Sequence, residues 1–415
     1  MREMKDSGIP WIGEIPRNWN ITKLGRLYCI RNTKVSDDKY SPLSVTKLGI
    51  LPQLVFVAKS DDHDNRKLVK KGDFVINSRS DRRGACGISS LEGSVSLINI
   101  VLTPLGKMNP DYYNLLFHSI QFADEFYKWG HGIVDDLWTT RWQDMKKINV
   151  PVPSLFEQQR IANYLDTRCS QIDFIRKNVE AEIEALKQYK QSVITEAVTK
   201  GLDKDVEMKN SGIPWIGNVN CFFTATRFKY VATINSNLVN PVLYKECNQL
   251  APDCIEKNSG KIVMHRTVDE ASVDSWNHLF KKGQILYSKI RPVLNKVCIA
   301  PYDGLCSADM YPIDTNCDTS FFLYLMLSNY FVSQVDVITR DRIKMPKINQ
   351  NELGNIIIYL PDKHTQREIA KYLDAKCAKI DSIIQKKQEL LTKLDTYKKS
   401  LIYEYVTGKK EVPAV

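Results

Sequence analysis

"IANYLDTRCSQIDFI" occupies residues 161–175, and "IAKYLDAKCAKIDSI" occupies residues 369–383. The offset is 208 residues, and nine of the fifteen positions are identical. The match runs on without a gap: Leu186 corresponds to Leu394, Tyr189-Lys190 to Tyr397-Lys398, and Val198-Thr199 to Val406-Thr407. Upstream, Pro153 corresponds to Pro361 and Gln158 to Gln366. This is an internal repeat, and it decides how the remaining chain is divided.

Both copies read as long helices. Residues 154–200 and 362–407 contain neither Gly nor Pro. Pro151, Pro153 and Gly201 bound the first, and Pro361 and Gly408 bound the second. Ser154 and Glu157 have capping-box spacing, each side chain able to satisfy the other's backbone N–H. Apolar residues recur at three- and four-residue steps: Ile161, Leu165, Ile172, Ile175, Val179, Ile183, Leu186 and Val193 in the first copy. The second copy gives Ile369, Leu373, Ile380, Ile383, Leu390, Leu394 and Leu401. A helix of some 46 residues is ~70 Å long, wider than most globular cores. Such a stripe needs an equally long partner, and the chain supplies one. An antiparallel pair within the chain is predicted, with a coiled coil between identical chains as the alternative.

A second repeat marks the start of each half. "SGIPWIG" runs from Ser7 to Gly13 and again from Ser211 to Gly217. Its glycines and proline predict a tight turn, with Trp11 and Trp215 packed in a core. The expected order is a globular part at 1–152, a helix at 153–201, a second globular part at 202–360, a helix at 361–409 and a tail at 410–415. The fold class is α+β: two globular parts mixing helices with strands, joined by two long antiparallel helices in a pseudo-two-fold repeat. "KKGDFVINSRS" (70–80) and "KKGQILYSKIR" (281–291) share a Lys-Lys-Gly turn, an apolar strand and a basic end. Residues 111–129 and 320–335 both read as amphipathic helices. Elsewhere the two globular parts barely resemble each other, so the frame is duplicated and its content has diverged.

The chain has 415 residues with 43% hydrophobic content, enough for sizeable cores. No apolar run approaches the ~18 residues that span a bilayer, and the first residues lack a signal-peptide pattern, so no membrane partner and a cytoplasmic location are expected. The ten cysteines form no Cys-x-x-Cys pair, and no zinc site is expected. Net charge is +10. Residues 1–152 hold 22 basic and 17 acidic side chains, 361–409 hold 11 and 7, and the segments between are near balance. That bias is too mild to diagnose a polyanion partner.

Enzyme motifs fail. Asn109-Pro-Asp-Tyr112 approaches an amino-methyltransferase motif but lacks its second Pro, and no Gly-rich loop follows a strand. "WGHGIVDD" has Asp135 where a dinucleotide fingerprint needs Gly, and there is no P-loop. No cofactor is expected in this chain. Local basic clusters carry more. Arg79, Arg82 and Arg83 follow the strand of the first globular part. Tyr287, Lys289, Arg291 and Lys296 occupy the matching place in the second, with Arg340, Arg342 and Lys344 beyond. Trp129, His131 and Arg141 lie late in the first. Arg forks onto guanine edges and Lys or Arg onto phosphates, so these thirteen residues are the candidate contacts to double-stranded DNA.

At full length the chain resembles the specificity (S) subunits of type I restriction–modification systems. The resemblance rests on the doubled Ser-Gly-Ile-Pro-Trp-Ile-Gly, on Pro-x-x-x-Glu-Gln-x-x-Ile-Ala-x-Tyr-Leu-Asp (153–166) and on Ala-Val-Thr-Lys-Gly (197–201). The second copy departs mildly, at Thr365–Glu368 and Tyr405–Gly408. The resemblance implies a non-catalytic subunit of bacterial or archaeal origin. Each globular part would be a target recognition domain reading half of a bipartite, asymmetric DNA sequence. The helices would set the spacer length and dock two methyltransferase subunits, with restriction subunits joining. Ile172, Ile175, Val179, Leu186, Ile380, Ile383, Leu394 and Leu401 are the candidates for that docking and for the helix pair. S-adenosylmethionine, ATP and Mg would bind those partners. The competing reading is a helical adaptor that assembles proteins without touching DNA.

Overall fold

The computed structural model of the protein describes residues 2–54, 63–132, 138–213 and 217–413. The chain forms two compact units, Met1–Val179 with Glu389–Val415, and Glu180–Gln388. The expected 46-residue helix is one element, Leu155–Lys200, and its copy is Lys363–Val406. Each unit therefore contains a globular part, the beginning of one long helix and the end of the other.

In the first unit the helix segments run antiparallel: Asp173 pairs with Lys398 at 2.7 Å, Arg176 with Asp395 at 3.0 Å, and the rings of Tyr164 and Tyr405 lie 4.7 Å apart. In the second, Lys190 meets Asp381 at 2.8 Å and Glu182 meets Lys387. The pairing is thus within the chain. The seam follows alternating steps of four and three: Leu165, Cys169, Ile172, Arg176 and Val179 in the first unit, and Leu373, Cys377, Ile380, Ile384 and Lys387 in the second. Ile172, Val179, Ile380 and Leu401 are buried in it, while Leu186 and Leu394 are half-buried. Ile175 and Ile383 are corrections: each is 45% exposed, one position out of phase with Arg176 and Ile384. The seam admits long cationic side chains, whose methylene stems pack while their heads find acids. A reading restricted to apolar letters takes the neighbouring isoleucine instead.

Ser154 Oγ accepts from the Glu157 amide at 3.2 Å, as expected. The Glu157 carboxylate accepts from the Ser154 hydroxyl (3.4 Å) and also from Trp19 Nε1 (3.1 Å) and Arg2. Trp19 is fully buried, so its indole N–H needs that acceptor.

Met4–Asp6 pairs with Glu14–Pro16, and SGIPWIG is the connection between them. Gly8 and Gly13 sit at φ +70° and +67°, the left-handed region that favours glycine. Trp11 is half-buried, its ring 6.1 Å from Phe122, and Ile12 is the fully enclosed residue of the loop. The second copy repeats the hairpin with Met208–Asn210 and Asn218–Asn220, while Trp215 lies outside the described residues. The loop also receives the end of a long helix. Tyr403 Oη donates to the Trp11 carbonyl at 2.8 Å and Lys409 Nζ to the Ile12 carbonyl at 2.7 Å. In the second unit Asn220 Nδ2 donates to the Lys200 carbonyl at 2.9 Å.

Both units carry an antiparallel four-stranded sheet of one design. Its order is Cys86–Ile88, Phe74–Asn77, Asn99–Pro104, Tyr28–Ile30 in the first unit. In the second it is Val297–Ile299, Ile285–Ser288, Met310–Thr315, Ala232–Ile234. The Lys-Lys-Gly turns precede the inner strands, with Gly72 and Gly283 at φ +86° and +87°. Beyond this sheet the units differ. The first adds a three-stranded sheet and a hairpin; the second adds a five-stranded sheet in which Asn248–Leu250 runs parallel to Gly304–Ser307. Each expected amphipathic helix is split: Pro110–Phe117 and Ile120–Lys128, Thr319–Leu327 and Asn329–Thr339. Ser119 and Ser328 cause the breaks, each capping the next helix through its hydroxyl. Among the described residues no single helix is long and apolar enough to cross a membrane.

Candidate nucleic-acid interface

In the first unit the chain leaves the inner strand Phe74–Asn77 through a 3-10 turn, Ser80–Arg82, and returns in Cys86–Ile88. Tyr127 Oη fastens this turn by donating to the Asn77 carbonyl at 3.1 Å. Thr139 joins two candidates, forming backbone bridges with both Arg79 and His131. Arg82 lies 3.5 Å from its neighbour Asp81, and Arg83 pairs with Asp124. Trp129 Nε1 donates to Glu125 at 3.0 Å, and Lys147 lies over the indole at 5.7 Å. His131 Nε2 is 3.2 Å from Asp144. Lys147, with His131 adding, holds the Asp144 carboxyl below the usual carboxylate range. The side chains of half-exposed Arg79 and exposed Arg141 have no hydrogen-bond or ion-pair partner among the described residues.

The second unit builds its ridge at the same place. After Ile285–Ser288 the chain turns through Pro292–Leu294, and residues 346–348 lie alongside 289–291: the Arg291 amide donates to the Pro346 carbonyl at 2.7 Å, and the Ile348 amide to the Lys289 carbonyl at 3.0 Å. Exposed Arg291 is held at φ +43°, a conformation costly for a residue with a side chain. Lys289 Nζ sits 5.4 Å from the Tyr311 ring centroid. Arg342 is committed to Glu352 at 2.5 Å and to the Lys347 carbonyl. The side chains of Arg291, Arg340 and Lys344 are exposed and unpartnered among the described residues.

Two candidates need correction. Tyr287 is fully enclosed, an inward position of the central strand, and burial pushes its phenol far above the ordinary value. It is core and cannot meet a ligand. Lys296 is half-buried and donates to the Pro252 carbonyl, so its ammonium already has a partner. Sequence reading also missed Ile343 and Met345, 98% and 56% exposed among the cations. Letters alone give no warning, because an isoleucine in a loop normally folds inward.

The enzyme-like letters of the sequence have structural roles among the described residues. Asn109 caps Pro110–Phe117, accepting from the Tyr112 amide at 2.8 Å and donating to Gln159 at 2.7 Å, so the methyltransferase-like letters are a helix start. Burial pushes the thiols of Cys86 and Cys298 up to about 12, which keeps them protonated at neutral pH. No group of three or more His, Cys, Asp or Glu among the described residues could hold a metal ion.

A duplicated helical frame carrying unlike basic ridges has a counterpart among known proteins. The type I restriction modification DNA specificity domain matches residues 16–185 and 244–392. The chain belongs to this family. Among specificity-domain relatives, the type I restriction enzyme EcoDI specificity subunit of Escherichia coli is 34% identical over 284 residues, 64% of this chain and 63% of the relative. The match thus spans less than two thirds of that subunit's length. The MjaVIII specificity subunit of Methanocaldococcus jannaschii is 25% identical over 431 residues, covering 96% and 94%. Two solved structures share the fold. A chain from a type I R-M system, studied for complex assembly and conformational transition, aligns over 95% of this chain and 99% of its own, with TM-score 0.72 and 13% identity. The HsdS subunit from Thermoanaerobacter tengcongensis aligns over 95% and 98%, with TM-score 0.52 and 14% identity.

The docking candidates Ile175 and Ile383 are exposed, and each has exposed apolar neighbours that the sequence reading did not single out: Phe174, Leu390 and Tyr397 in the first unit, Tyr189 and Tyr372 in the second. They lie outside the seam and are free to meet another protein.

Proposed function

We propose that this chain is the DNA sequence-recognition subunit of a type I restriction–modification complex, itself non-catalytic. Each unit reads one half of a bipartite, asymmetric target. The long helices set the spacer length and dock two methyltransferase subunits, with Ile175 and Ile383 in the docking surface. Restriction subunits complete the assembly in the cytoplasm. S-adenosylmethionine, ATP and Mg belong to those partners.

One observation carries the reading: after the same inner strand, each unit presents arginines whose guanidinium groups have no partner within the described residues, Arg79 in the first and Arg291 in the second. A guanidinium left unpaired on a built ridge is suited to phosphate and guanine edges. The sequence divergence of the two ridges supports a non-palindromic target. The test is to map methylated adenines with the assembled complex after replacing residues 1–152 by those of a relative with another target. One half of the methylated sequence should change and the other should not. An unchanged sequence would refute the assignment. Binding should also fall steeply between 50 and 200 mM salt, as expected when several phosphates are contacted.

A further inference from the structure

Residues 341–346 project from the second unit, and their stalk is clamped on both sides. Arg342 is tied to Glu352, Lys347 Nζ lies 3.1 Å from Asp309, and residues 346–348 pair with 289–291. At the tip, Ile343 is 98% exposed and Met345 56% exposed. Met345 also sits at φ +42°, left-handed backbone where a side chain is strained. An exposed loop normally carries polar residues and places glycine at such an angle. Here a firmly seated loop holds two large apolar side chains out in solvent. Around them stand Arg291, Arg340 and Lys344, unpartnered among the described residues, and Lys289, with Asp341 the acidic residue of the tip. Apolar surface rimmed by free cations fits a partner that is anionic outside and apolar within. Duplex DNA has that character: phosphates outside, stacked bases inside.

We infer that Ile343 and Met345 form a wedge that enters a base step of the DNA duplex and unstacks it, while the flanking cations hold the phosphates on either side. The inference rests on the DNA-reading proposal and deepens it. An apolar wedge kinks the helix and lets more of the protein reach it, and the ease of unstacking depends on the step. The second unit would then sense sequence at a step where it makes no hydrogen bond.

The experiment uses the assembled methyltransferase complex and a duplex carrying the sequence it methylates, with 2-aminopurine placed in turn along the half-site read by the second unit. Bound wild-type complex should raise emission several-fold at one step and bend the duplex in a fluorescence-transfer assay. Ile343→Ala with Met345→Ala should abolish the rise and the bend and weaken binding about tenfold, with the salt slope unchanged. Ile343→Phe should restore unstacking. Both side chains are exposed, so the variants should fold as the parent does. Equal unstacking by the double-alanine variant overturns the wedge, as does loss of methyltransferase-subunit capture with the distortion intact, which would make the tip a protein contact. A wild-type complex that shows no salt-dependent DNA binding would instead remove the underlying functional reading, and the wedge with it.

Discussion

Gly408→Ala tests how the second long helix is seated in the first unit. Gly408 follows that helix at φ +75°. A Cβ added there would lie 2.4 Å from Pro16 Cδ, 2.6 Å from Pro16 Cγ and 3.0 Å from Trp19 Cη2. Pro16 is fixed in the Glu14–Pro16 strand and Trp19 is fully buried, so neither can yield cheaply. Two costs combine. Alanine in left-handed backbone costs about 1 kcal/mol. Forcing a methyl into a packed site costs about 1–3 kcal/mol more. The total is about 2–4 kcal/mol, or roughly 5–15 °C in Tm for a unit of roughly 200 residues. Gly8→Ala is the control within the same unit, since Gly8 has φ +70° and nothing within 4 Å of its Cβ position. It should cost about 1 kcal/mol, the backbone cost alone. In the second unit Gly201, at φ +83° with Asn220 Nδ2 at 3.2 Å, should fall between the two. Calorimetry and urea melts followed by tryptophan fluorescence measure all three. If Gly408→Ala melts with Gly8→Ala, the contact of the helix end with Pro16 and Trp19 is not as described.

Two further outcomes are expected. Ile175→Glu and Ile383→Glu should each change stability by less than about 0.5 kcal/mol, because both side chains lie outside the seam. They should nonetheless weaken capture of methyltransferase subunits in a pull-down, whereas Ile172→Ala should cost about 2–4 kcal/mol through the cavity it leaves. The acid limb of unfolding should depend on Asp381. Burial alone would raise its pKa, but hydrogen bonds from Lys190 and Lys261 outweigh it and hold the carboxyl below the usual range. With the folded value depressed, its stabilisation is present above the unfolded value of about 4 and is lost as pH falls through the folded one. Asp381→Asn should therefore be less stable than the parent at pH 7, by about 1 kcal/mol after solvent screening, and the gap should begin to narrow as pH falls below about 4. A gap that stays constant or widens as pH falls below about 4 would contradict this.

Much of the frame was legible because it is written in breakers and periodicity. Glycine and proline bound both long helices at the observed residues to within one or two positions, and the repeat offset identified their partner. The phase of the seam was not legible. Arg176, Lys190, Lys387 and Lys398 occupy core-side positions, which only the pairing with Asp395, Asp381, Glu182 and Asp173 explains. Tyr287 was misread for a related reason. A tyrosine beside lysines looks like a binding residue, but both faces of this strand are covered and all four of its residues are buried, while Lys289 beyond its end is half-buried. The long helices also proved to be divided between two compact units, a partition that no local pattern records.

The two units share a frame, yet the frame itself is no longer symmetric. The 208-residue offset relates Tyr164 to Tyr372 and Tyr405 to Ala197. In the first unit Tyr164 and Tyr405 stack, their hydroxyls 3.2 Å apart, and Arg168 lies over the Tyr164 ring at 5.4 Å. In the second unit the corresponding ring is absent. Tyr372 is left 42% exposed, and with Ala197, Tyr189, Lys200 and Lys376 it lines an open groove of about 910 Å³. The exchange of a tyrosine for Ala197 removes one ring from the helix pair, and Leu202, Asp203 and Lys204 beyond the helix complete the groove. The same economy holds at the ridges, where the inner strand and its turn are retained while the first unit presents Arg79 beside a histidine and the second presents Arg291 beside an apolar tip. Duplication supplies the geometry twice; divergence at positions that do not carry the frame makes the two units unlike. Under the proposed function, telling one half of an asymmetric sequence from the other requires that separation between what holds and what reads.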